Sequence, residues 1–109
     1  MTLVQIGGQR WKIKLVHPGN CHLIGDGGAP LHGCCELAKC TIYISKALCE
    51  DAREDTLLHE LLHAVVYVTG AGEAAFAGVP AIEEALVGTL TPTLHQVLRD
   101  FGFRFPRLT

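Results

Sequence analysis

His59-Glu60-Leu61-Leu62-His63 lies inside a long apolar run, Thr56 to Thr69. On a helix of 3.6 residues per turn, positions four apart sit one above the other on the same face. The imidazoles of His59 and His63 can therefore reach one metal ion. Glu60 stands roughly 100° round the helix from His59, near enough to act on a water at that ion without binding it. If this stretch is helical, the rest of the chain must give the helix a surface to lie on and the ion a third ligand.

The helix should begin near Cys49 or Glu50. Glu50, Asp51, Glu54 and Asp55 crowd its first turns, where the helix dipole favours negative charge. Gly70 is a natural C-terminal stop. About 20 residues at ~1.5 Å each give a length of about 30 Å. Leu57, Leu58, Leu61, Leu62, Val65, Val66 and Val68 leave little polar surface after Asp55, so the pattern predicts burial on several sides. Two histidines and a glutamate in such a helix need partners, because unpaired buried polar groups are costly. A metal ion is one such partner.

Upstream, Thr2–Ile6 and Arg10–Val16 read as strands joined at Gly7-Gly8-Gln9. In the second, Trp11, Ile13 and Leu15 alternate with Arg10, Lys12 and Lys14, as on a half-buried strand with a solvated basic face. His17 to Leu31 is a long Gly-rich loop, of a length that is usually functional or mobile. No Gly-Lys-Ser/Thr follows its glycines, so it is no phosphate cradle. Two short strands come next, about His32–Leu37 and Thr41–Ser45, turning at Ala38-Lys39. These four strands are expected to form a small antiparallel sheet.

Downstream, Ala71 to Pro80 reads as a small-residue loop and Ala81 to Phe101 as a second helical run. Pro92 lacks an N–H and should kink or split that run near Thr91. The third ligand is sought here, because catalytic zinc usually has three protein ligands and one open position. Leu86, Val87, Leu90, Leu94 and Val97 fall within roughly 60° of Glu83, so Glu83 sits near the middle of the apolar face. Glu84 points with Gly88, Thr91 and His95 toward a more polar side. The apolar face is expected to meet the His59/His63 helix, and a carboxylate centred on it is costly unless neutralised. Glu83 is therefore the expected third ligand and Glu84 the alternative. The longer motif with a third histidine is absent, since Val66 and Thr69 occupy the positions of its glycine and histidine.

With 109 residues and 49% hydrophobic content, the chain reads as one globular domain. A net charge of −2 gives no electrostatic reason for a nucleic-acid partner. No apolar run reaches the ~18 residues of a membrane helix, and MTLVQIGGQRWKIK lacks the order of a signal peptide. A cytoplasmic setting with reduced thiols is the expectation for the five cysteines. Cys34, Cys35 and Cys40, with His17, His22 or His32, form a weaker second metal candidate without a C-x-x-C pair. Tyr67 and His95 are candidates for stabilising an oxyanion, though a buried aromatic and a helix-surface histidine are the simpler readings. Glu73 reads as a solvated loop residue.

The block CTIYISKALCEDAREDTLLHELLHAVVYVTG, followed by AIEEALVGTLTPTLHQVLRDFGF, resembles small phage and prophage metallopeptidase-like proteins, distant relatives of the ImmA/IrrE zinc peptidases. The resemblance covers about residues 33–102. It implies an α+β minimal zincin, with a small antiparallel sheet packed on the H-E-x-x-H helix and a following Glu-bearing helix. It implies Zn2+ bound by His59, His63 and Glu83 or Glu84, with Glu60 as general base. The second-helix pattern departs from the ImmA/IrrE one, since Leu86 and Val87 stand where Ala-Asn is frequent. The expected activity is hydrolysis of a protein or peptide substrate, pairing with an edge strand such as His32–Leu37. The alternative is a catalytically silent zinc-binding regulatory protein that kept the site.

Overall fold

A computed structural model describes residues 1–109. Strand β1 (Thr2–Ile6) turns at Gly7-Gly8 into β2 (Gln9–Val16). Both glycines have positive φ, as this tight turn demands, and Gly7 packs against Val68 with no room for a Cβ. After the long loop come β3 (Gly33–Glu36), a short 3-10 turn with Cys40 left-handed, and β4 (Thr41–Ser45). Then follow α1 (Glu50–Thr69), a six-residue α2 (Ala71–Phe76) and α3 (Pro80–Asp100). The architecture is α+β, with a four-stranded sheet in the order β1-β2-β4-β3.

The sheet is mixed, which corrects the antiparallel expectation. β1–β2 and β3–β4 pair antiparallel, but β2 and β4 run parallel from Lys12↔Thr41 to Val16↔Ser45. A parallel pair needs a crossover of a dozen residues or more, and residues 17–40 supply it. The hairpin then lays β4, not β3, against β2. Every residue of β4 is buried, because both faces of the sheet are covered there.

On one face, Ile6, Trp11, Ile13, Ile42 and Ile44 form the core with Leu57 and Ala64 of α1. On the other, the 17–31 loop folds over β4, burying Leu23 and stacking His22 on Tyr43 at 3.9 Å. This loop is tied by Leu31 N–H to the Leu23 carbonyl and by Ser45 N–H to the His32 carbonyl.

Helix α1 begins with Glu50 and Asp51 in its first turn and stops at Gly70, which has φ 73°. Arg53 fixes its entry by donating from Nε to the Leu48 carbonyl and from Nη2 to the Lys46 carbonyl. Burial is less complete than the composition predicts, since Val65 and Tyr67 are half exposed. Ala71–Phe76 forms a helix rather than the expected loop, consistent with three alanines, the strongest helix formers. Helix α3 runs unbroken through Pro92. It forgoes one backbone bond there rather than splitting.

α3 lies antiparallel along α1, as the pairs His63–Glu83, His59–Glu84, His95–Glu54 and Arg99–Asp51 establish. The face it turns inward matches the expected one only at Glu83 and Val87. Val87 and Thr91 are its buried residues and His95 is largely covered. Ile82, Leu86, Leu90, Leu94 and Val97 face solvent. Beyond α3 the tail folds back, and Phe105 and Leu108 pack against the core. No helix is long and apolar enough to cross a membrane.

Candidate metal centre

The four-residue spacing in α1 brings the two imidazoles together on one face, edge to face with ring centroids 4.9 Å apart. His59 Nε2 and His63 Nε2 lie 3.3 Å apart. The partner of both is Glu84. Its Oε1 stands 3.0 Å from His59 Nε2 and its Oε2 2.7 Å from His63 Nε2. These three side chains form one group whose donor atoms all lie within 4.8 Å of one another. Two donors at ~2.0–2.1 Å on a tetrahedral ion are separated by about 3.3 Å, a spacing that the two imidazole nitrogens match. The donor set of two imidazoles and one carboxylate also suits zinc.

The third member of this group is thus Glu84, where the sequence reading favoured Glu83. The cause is the orientation of α3. With Val87 and Thr91 inward, Glu84 points at the Nε2 atoms. Gly88 lies beside α1 with room for a Cβ, which would stand 3.9 Å from His59 Cε1. Thr91, two turns beyond Glu84 on the same side of the helix, is the signal for the face that meets α1. Glu83 takes a different place. Its Oε2 lies 2.5 Å from His63 Nδ1, and its side chain is about three-quarters covered. A carboxylate on the far nitrogen of a ligating histidine fixes the tautomer and the ring plane. Here it would hold the Nδ1 proton and leave the Nε2 lone pair facing Glu84 and His59.

Glu60 is buried beside the group. Burial pushes its carboxyl above the usual carboxylate range; His59 and His63 pull it back in part, and Glu84 adds to the rise. It lines an open cleft of about 360 Å³ with Pro30, Leu31, His32, Gly33, Asp55, Thr56, His59 and Glu84. One wall of this cleft is the start of β3. A Cβ on Gly33 would stand 3.3 Å from Glu60 Cγ and 2.6 Å from Thr56 Cγ2, so strand and helix touch directly there. β3 pairs only with β4, and its other edge is free. A second cavity, also about 360 Å³, lies under the C-terminal tail and has no comparable donor set.

The other sequence candidates fall elsewhere. His95 bonds Glu54 Oε1 at 3.2 Å and lies 3.7 Å from Asp55. Eleven residues beyond Glu84 on the same helix, it is about 16 Å further along. Tyr67 is half exposed and lines a separate cavity with Val66, Glu73 and Glu83. The five cysteines are free thiols, and none joins a metal-binding group. Cys35 is pushed up to about 12, first by burial and then by the nearby Glu60. His22 stacks on Tyr43 and lies 3.5 Å from Glu36, a structural placement on the outer face of the sheet.

No family model matches the chain, and neither curated proteins nor solved structures give a match.

Proposed function

We propose that this chain is a zinc-dependent peptidase in which His59, His63 and Glu84 hold the ion and Glu60 is the general base. The observation that carries the reading is the 3.3 Å separation of the two Nε2 atoms, with Glu84 against both and the buried Glu60 next to them in an open cleft. The resemblance of residues 33–102 to ImmA/IrrE-like zinc peptidases supports the same reading.

When bound, zinc supplies a Lewis acid that lowers the pKa of a water to ~7 and polarises a carbonyl. The chain's own groups do the rest. Glu83 holds the Nδ1 proton of His63 and so keeps Nε2 available as a donor atom. Glu60, buried in the cleft wall beside His59 and raised above the usual carboxylate range by burial, is the group placed to accept a proton. It takes a proton from the attacking water and returns it to the leaving amine. An extended peptide adds to the free edge of β3 by main-chain pairing, which brings its backbone past Glu60.

The test is elemental analysis of purified protein with hydrolysis of a peptide library, on wild type and Glu60→Gln. The expected result is one zinc per chain in both and cleavage only in the wild type. A variant that keeps its zinc and the full biological effect would assign the site to metal-dependent binding rather than proteolysis. A peptide complex without main-chain pairing on β3 would remove the docking part of the proposal.

A further inference from the structure

Helix α3 presents its apolar face to solvent. Val79, Ile82, Leu86, Leu90, Leu94, Val97 and Phe101 are between 36% and 77% exposed. They form one stripe because they recur at helical spacing of three and four. The side facing α1 carries Glu83, Glu84, Val87, Thr91 and His95. A helix that buries Val87 and Thr91 but exposes Leu86, Leu90 and Leu94 leaves a contiguous apolar patch, and such patches mark interaction sites.

We infer that the α3 stripe is the interface of a homodimer, with two copies of α3 packed antiparallel about a two-fold axis at Leu90. An isologous interface must be self-complementary, so that where residue i meets residue j, j also meets i. The stripe meets this condition. Leu86 and Leu94 lie four residues either side of Leu90, Ile82 and Val97 eight and seven, and Val79 and Phe101 eleven. The outermost pair are the two caps of the helix. No Asp, Glu, Lys or Arg occurs between Glu84 and Arg99, so the axis brings no like charges together over its central turns.

The area agrees. Seven half-exposed apolar side chains at about 50 Å² each, with Ala85, Thr89 and Thr93 beside them, bring the pair to roughly 1,000 Å². That is the floor for a specific interface and fits a dimer that dissociates on dilution. The chain as a monomer buries only 16 of its 109 residues although 49% are hydrophobic, which leaves apolar surface for a partner. The cleft beside Glu60 is on the α1 side of α3, so pairing on the stripe leaves it open. The inference does not depend on the zinc reading.

Sedimentation of the full chain with reductant, over about 1–500 µM, tests it. The wild type should move from monomer to dimer within that range. Leu90→Glu places two carboxylates against each other on the axis and should weaken dimerisation by at least about 100-fold. Gln96→Glu adds the same charge outside the stripe and should leave it unchanged. Far-UV circular dichroism checks that both variants fold, which the exposure of both positions favours. A wild type that stays monomeric throughout overturns the inference, and so does a folded Leu90→Glu variant that dimerises like the wild type. Equal weakening by Gln96→Glu also overturns it, because the effect would then be of net charge and not of the stripe.

Discussion

His63 is held at both of its ring nitrogens by consecutive glutamates of another helix, Glu83 at Nδ1 and Glu84 at Nε2. The two carboxylates differ in surroundings as well as in target. Glu83 is mostly covered, while Glu84 is largely exposed and free to adjust. Their roles should therefore separate in zinc affinity measured by chelator competition. Glu84→Ala removes a donor atom and should abolish tight binding. Glu83→Ala removes only the group that orients His63 and should weaken binding by about 10–100-fold. The reverse order of severity would restore Glu83 as the ligand. The histidine pair and Glu60 were legible from sequence because their relation is set within one helix turn. The choice between the glutamates was not, because it depends on how a second helix is rotated.

That rotation belongs to the scale of elements, where close contacts are made by residues without side chains. Gly33 of β3 lies against α1, and an added Cβ would stand 2.6 Å from Thr56 Cγ2 and 3.2 Å from the Tyr43 carbonyl oxygen. Gly33→Ala should cost about 1–3 kcal/mol in chemical denaturation, as overpacked sites do, and should disturb Glu60. Gly88 at the α1–α3 contact has room, with His59 Cε1 at 3.9 Å. Gly88→Ala should be neutral or stabilising, by up to about 1 kcal/mol from helix propensity. Strand positions, the start of α1 and its end at Gly70 followed from alternation, acidic first turns and a C-terminal glycine. The parallel β2–β4 pairing escaped that reasoning, since period-two alternation fixes faces and not neighbours. The outward turn of the α3 leucines escaped it too. Periodicity found the apolar stripe correctly, but the assumption that an apolar stripe faces its own core failed.

On the scale of the whole molecule, the C-terminal tail is clamped to α1 through Glu54. Burial raises this carboxyl, but hydrogen bonds from Arg104 and His95 outweigh it and hold Glu54 below the usual carboxylate range. A folded-state pKa below the unfolded one stabilises at pH values above the ordinary carboxylate value, ~4.3. That stability is lost as pH falls through the folded value. Arg104→Gln should thus lower the urea midpoint at pH 7, and its difference from the wild type should shrink as the pH drops below about 4. A difference that persists undiminished in acid would mean the arginine acts through packing alone. The β2–β4 pairing has a consequence of another kind. Lys12 and Thr41, the first partners in that register, are separated by the entire crossover. The chain must therefore close a long loop, and bear its entropy, before the central pair of the sheet can form. The helix that carries His59 and His63 is local in sequence, but the floor beneath it is assembled from the most distant strand contacts in the fold.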